Sequence, residues 1–311
     1  MYYPLLRARQ FELISLRELT IEGEIQGVVI PILEPVKETH NNLNLAFEVF
    51  REGGQTSYLV LNPADGEVTG DGTHYLEYLD SLEQGTFIPA FRYKSNGEYI
   101  SQCIQDYNLR DCMLICQNDV NVSDSDFTDL AELDSVVAFN VEDPGRNRSL
   151  SRYLKTLNKN FIRLDDPFER QIRNSDFLSI VEHPFSEEHL YFEEDNFNGF
   201  SDYTVLPSDY IEGGSAPRAV VIHLTYLNGQ NQIWIRHFTS TTNDSIANVQ
   251  GKFAEAAEKA VNYCRHNGLT NSALEELFDN FDKQHYPGLG TVKKISIKNH
   301  VLIVAEYLKN R

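Results

Sequence analysis

VVIPILE, residues 28–34, is an apolar run of strand type that ends on a single carboxylate, Glu34. The same form recurs along the first two-thirds of the chain. YYPLLR ends at Arg7, SYLVLN at Asn62, FIPAFR at Arg92, CMLICQ at Gln117, SVVAFN at Asn140 and NFIRLD at Asp165. Successive endings lie 27, 28, 30, 25, 23 and 25 residues apart, with helix-like or loop-like sequence between them. That period predicts parallel strands joined by crossover helices, each turning the same way. Seven units are one short of a full ring. The expected fold is therefore α/β, a TIM-like (β/α)8 barrel with an added C-terminal β-hairpin and helices. The 311 residues suit such a barrel with an appendage. The expected division is a barrel body over residues 1–210, with the hairpin and C-terminal helices of 211–311 packed on it as one domain.

The endings matter because sites in this fold lie at the C-terminal ends of the strands. A ring of Arg7, Glu34, Asn62, Arg92, Gln117, Asn140 and Asp165, joined by the nearby Arg9 and Arg163, is the candidate ligand-binding set. A polar residue after an apolar run is also what any strand shows on leaving a sheet, so each ending alone is weak. Side-chain parity strengthens the set. Arg7, Glu34 and Arg92 share a strand face with Leu5, Ile32 and Ala90. If those aliphatic residues face the barrel centre, the charges face its mouth; the reverse parity puts charges beneath helices, where burial is costly.

Hydrophobic and charged contents of 41% and 23% are those of a globular protein. A net charge of −19 argues against an extended nucleic-acid-binding surface, which needs lysines and arginines to neutralise phosphates. No run of about eighteen apolar residues appears, and MYYPLLRARQ lacks the charged and apolar regions of a signal peptide. The expectation is a cytoplasmic protein with no membrane contact. Cys103, Cys112, Cys116 and Cys264 form no CxxC pair, and Cys112 and Cys116 flank a buried-type strand, so they read as core thiols.

Between the strands, QFELISLREL reads as a first helix and NLNLAFEVFREGG as a second, stopped by Gly53 and Gly54. NPADGEVTGDG is an acidic loop without the ligand spacing of an EF-hand. Ser123, Asp124 and Asp126 read as helix caps. LDDPF places Asp165 and Asp166 either in acid–base or metal chemistry or in a helix-start turn before Pro167.

Beyond residue 170 the period breaks. SDYTVL and AVVIHLTYL both qualify as the eighth strand, and a hairpin over 219–239 leaves SDYTVL to close the barrel. In that hairpin a two-residue turn at Gly229 and Gln230 pairs His223 with Arg236; a turn longer by one residue pairs it with His237 and puts both imidazoles on one face. KFAEAAEKAVNYCRHNG reads as an amphipathic helix stopped by Gly268. VKKISIKNHVLIVAEYLKNR reads as a short strand or turn leading into a last helix. Trp234, the only tryptophan, is either core beneath a helix or an interface anchor.

YYPLLRARQFELISLREL, PILEPV, GFSDY (199–203), AVVIHLTY (219–226) and IRHF (235–238) together resemble the beta protein family, named for a T-even phage protein and found also in bacteria. Its opening motif, aromatic-x-Pro-x-Leu-(Lys/Arg)-x-(Lys/Arg)-x-x-Glu, maps onto Tyr2 to Glu12, with Arg7 and Arg9 where many members carry Lys. The resemblance implies a TIM-like pattern, no transferable catalytic residue, and a setting beside nuclease-like partner proteins in mobile-element or anti-phage modules.

Three functions then compete. In the first, the chain is a ligand- or partner-binding component of such a module, and Arg7, Arg92 and Arg163 hold a small anionic ligand. The second is a barrel hydrolase or phosphodiesterase. There Glu34, Asp119, Glu142 or Asp165 holds metal and His223 or His237 moves protons, so Glu34, Asp165 and His223 are the catalytic candidates. The third is a non-catalytic structural subunit of a nuclease-containing complex. No HxH or HxxE pair lies on a strand, so no metal site and no cofactor is expected.

Overall fold

The computed structural model describes residues 1–213 and 217–311. These residues form two compact units. The first comprises residues 1–13, 26–166 and 191–203; the second comprises 14–25, 167–190 and 204–311.

The first unit holds a (β/α)8 barrel. Its parallel strands, hydrogen-bonded in chain order, are β1 (Leu5–Leu6), β2 (Ile32–Leu33), β3 (Ser57–Val60), β4 (Phe87–Tyr93), β5 (Cys112–Cys116), β6 (Val136–Glu142) and β7 (Asn160–Asp165). A further strand, β8 (Glu182–Ser186), belongs to a separate sheet, and β9 (Gly199–Asp202) completes the ring beside β7. The helices of the repeats are α1 (Gln10–Ile21), α2 (Asn41–Gly53), α3 (His74–Asp80), α4 (Gly97–Asp106), α5 (Ser125–Glu132) and α6 (Arg148–Leu154). Closure comes from a parallel bridge between Tyr2 and Phe200, with Tyr3 N–H donating to Phe200 O at 2.8 Å and Phe200 N–H to Met1 O at 3.1 Å. Gly199 permits that approach: a Cβ there would lie 2.6 Å from both Met1 O and the Tyr3 ring.

The closing strand overlaps the expected SDYTVL by two residues only. It begins earlier, at Gly199, and stops at Asp202, because Thr204 takes a left-handed backbone (φ +57°) that ends the extended run.

The strands are buried on both faces, as parallel strands under helices are. The inner face packs Leu5, Ile32, Val60, Ala90, Met113, Ile115, Ala138, Ile162 and Leu164 with Tyr3, Tyr58 and Tyr203. That packing decides the parity question, because Leu5, Ile32 and Ala90 all point to the axis. Helix ends follow local chemistry. Gly54 takes φ +65° and returns its N–H to Arg51 O and Phe50 O at the end of α2. Asp124 caps α5, while Asp126 accepts from Gly97 N–H (2.9 Å) and Glu98 N–H (3.1 Å) at the start of α4. All four cysteines are free and buried, as their core reading requires.

The second unit contains an antiparallel sheet in the order β10 (Val221–Leu227), β11 (Ile233–Thr239), β8. Its helices are α7 (Glu188–Tyr191), of which the second unit takes 188–190, then α8 (Val249–His266), α9 (Ser272–Asp282) and α10 (Leu289–Lys309); residues from Ile14 onward in α1 also belong to it. The expected hairpin forms and recruits a third strand from EHPFS. The hairpin loop is the longer of the two, since Asn228 N–H donates to Gln232 O and Asn231 sits at φ +61°. His223 therefore pairs with His237.

The C-terminus departs from expectation, for VKKISIKNH is helix throughout. Residues all around α10 are buried, so no amphipathic stripe marks it. Lys294 and Lys298, one turn apart, are buried there and meet Glu18 (2.8 and 3.3 Å); Lys294 also meets Glu276 (2.8 Å) and Lys298 meets Glu22 (2.5 Å). Among the described residues no helix is long and apolar enough to cross a membrane.

Candidate functional site

At the C-terminal ends of β1, β2 and β4, the inward parity brings Arg7, Glu34 and Arg92 together. Glu34 is fully buried and takes Arg92 in a two-pronged pair, Nε to Oε1 at 2.5 Å and Nη2 to Oε2 at 2.7 Å. Arg7 Nη1 donates to Glu34 Oε2, and Ala64 N–H to Oε1 at 3.0 Å. Arg7 also lies 3.4 Å from Asp65, and its guanidinium stands 5.7 Å from the Tyr203 ring centre. Burial alone would push the Glu34 carboxyl up; Arg92, Arg7 and the Ala64 N–H outweigh it and hold it below its ordinary value. Burial likewise opposes the charge on Arg92, and Glu34 outweighs that and keeps it charged.

Asn62 acts on backbone, accepting from Arg92 N–H (2.8 Å) and donating to Arg92 O (2.9 Å), so it locks β3 to β4. The acidic loop after it is drawn into local pairs: Asp65 with Arg7, Glu67 with Lys37, and Asp71 with Asn62 and Asn96. Gln117 is exposed and lines a groove of about 310 Å³ with Tyr93, Lys94, Asp119, Asn121 and Asp124. Arg9 precedes α1, where its carbonyl accepts from Leu13 N–H at 2.9 Å.

Arg163 and Asp165 lie elsewhere. Ile162 and Leu164 are the inward residues of β7, so Arg163 and Asp165 project from the opposite face and pair with each other at 2.7 Å. Burial pushes the Asp165 carboxyl up against the pull of Arg163. The end of the apolar run marks the end of the strand, not the side that its last residue faces. The inward parity of β7 leads to Asp166 instead. Tyr2 and Asp202 share an outer-face hydrogen bond of 2.6 Å.

Strand β6 carries what the endings miss. Val141 follows Asn140, so the strand continues two residues beyond its first polar residue, and Asn140 and Glu142 share the inward face of Ala138. Asn140 is fully buried and donates to Ser201 Oγ at 3.3 Å; its Oδ1 has no partner among the described residues. Glu142 is half-buried and forms no ion pair among the described residues. Burial raises its pKa, Arg92 opposes, and Asp166, Asp143 and Asp119 add to the rise. Tyr203 closes this side of the mouth, its hydroxyl pushed up to about 12 by burial.

No group of three or more His, Cys, Asp or Glu side chains among the described residues is arranged to hold a metal ion. Glu34 has both oxygens engaged by cations, and His223 belongs to the second unit. No protein-family model and no curated protein matches this chain. Residue roles therefore rest on geometry.

Proposed function

We propose that this chain is a binding barrel whose mouth takes a small polar molecule rich in hydrogen-bond donors. The observation that carries it is Asn140 Oδ1, an acceptor fully buried in the barrel interior with no donor among the described residues. Glu142, two residues on, offers a second acceptor on the same face. A buried acceptor left unmet costs about 1–3 kcal/mol, so a donor from a ligand or a held water is called for. An anionic ligand is disfavoured, because Glu34 and Asp65 balance the two arginines and Glu142 adds negative charge. Hydroxyl or amine groups suit the site better. A role beside a nuclease-like partner in an anti-phage or mobile-element module rests on the motif resemblance alone.

Native mass spectrometry of freshly purified protein is the test. A retained small molecule in wild type, absent from Asn140→Leu and Glu142→Leu, is the expected result. A bare mass, together with no thermal shift from polyols, amino sugars or amines, would overturn the proposal. A hydrolase reading would rest on Glu142, whose raised carboxyl suits a general acid. In that case Glu142→Gln keeps binding and loses turnover.

A further inference from the structure

Three imidazoles stand in line in the second unit. His223 on β10 and His237 on β11 face each other across the ladder with Nδ1 atoms 2.7 Å apart. His237 Nε2 lies 3.2 Å from His183 Nε2 on β8, and His183 Nδ1 lies 2.9 Å from Pro184 O. Phe168 and Phe177 meet the His223 ring edge-on, with centres 5.1 and 4.9 Å away.

The protons in this line follow from its end. A carbonyl oxygen only accepts, so His183 Nδ1 carries hydrogen, and in the neutral ring its Nε2 is bare. His237 then donates from Nε2 and accepts at Nδ1 from His223 Nδ1–H. His223 Nε2 is left as a bare lone pair, since the hydrogen bond of this ring runs through Nδ1. Burial and the neighbouring imidazole lower the His223 pKa far below its ordinary value, and burial brings that of His237 down to about 3, so both rings are neutral at neutral pH.

His223 is one of the residues that line a cavity of about 190 Å³. Val205, Leu206, Val221, Leu289 and Val292 make that wall mostly apolar, with Asn174, Ser296 and Lys293 as its other polar residues. An apolar cavity of about 150 Å³ is large enough for benzene. We propose that this cavity binds a small, mostly apolar molecule carrying one hydroxyl, of the phenol class, whose O–H donates to His223 Nε2. The aliphatic wall selects the ring, and the bare lone pair of His223 selects the hydroxyl. This site is independent of the barrel mouth, and neither proposal needs the other.

The test is calorimetric titration of the full chain with phenol and with toluene, which matches it in shape and lacks the donor. Phenol is expected to bind about five- to tenfold more tightly, the worth of one hydrogen bond. His223→Phe should bring the ratio close to one while leaving toluene binding in place. In wild type, ring ¹⁵N spectra should show the His223 Nε2 resonance moving with phenol and not with toluene, a reading that stands even if the variant does not fold. Absence of saturable phenol binding, equal affinity for the two ligands, or an unmoved Nε2 resonance would overturn the proposal.

Discussion

Replacing Glu34 by leucine tests the physical account of the barrel mouth most directly. The carboxylate is fully buried and neutralises two guanidiniums whose side chains are only 14% and 10% exposed. Without it, Arg92 loses both of its hydrogen bonds to the carboxylate, and Arg7 loses its closest anion, with Asp65 3.4 Å away and partly exposed. Breaking a buried ion pair from one side costs about 3–5 kcal/mol. The orphaned Ala64 N–H adds about 1 kcal/mol, so a loss of roughly 4 kcal/mol or more is expected from these two sources. Urea unfolding followed by far-ultraviolet circular dichroism at pH 7 measures it. Glu34→Leu combined with Arg92→Leu should be more stable than Glu34→Leu alone, because the uncompensated charge leaves with its partner. The pH dependence has a definite sign. The folded Glu34 carboxyl is depressed, so its contribution is full above the ordinary value of 4.5 and disappears as pH falls through the folded value. That acid sensitivity should be missing from Glu34→Leu. A loss below about 1 kcal/mol, the range of an exposed pair, or a double variant that costs the sum of the singles, would refute the reasoning.

Gly199→Ala places a methyl 2.6 Å from Met1 O and the Tyr3 ring, so thermal melting should fall by the equivalent of about 1–3 kcal/mol; an unchanged melt would mean the N-terminal strand shifts freely. His237 is lowered from 6.5 to about 3, so the unfolded chain takes the proton first and stability declines as pH drops through that window. Between pH 6.5 and 5 this amounts to roughly 1.6 kcal/mol, read as a shift in urea midpoint that His237→Phe should lessen, the remainder coming from His223, whose pKa is lowered as well. Asp126→Ala removes the acceptor shared by Gly97 N–H, Glu98 N–H and the Tyr93 hydroxyl. It should cost about 1–2 kcal/mol, measured by the same denaturation, with no change at the barrel mouth.

The strand–helix period is legible in the sequence alone, because apolar alternation and helix stops are properties of short segments. The parity that sets Arg7, Glu34 and Arg92 on one face is legible for the same reason. Their pairing is not. Glu34 reaches past β3 to Arg92, 58 residues away, and only the register and curvature of a closed sheet bring them within hydrogen-bond reach. Strand ends mislead where parity is unknown: Arg163 and Asp165 look like members of the ring, although Ile162 and Leu164 occupy the inner face. Residues 289–309 show the converse limit. Their buried lysines look like breaks in a helix until Glu18, Glu22 and Glu276 are placed beside them. His223 and His237 fall between two registers that differ by one loop residue, and the left-handed turn at Asn231 decides it. Local patterning determines which elements form and which side of each is apolar; which buried charge meets which partner depends on register and closure, set by the packing of segments far apart in the chain.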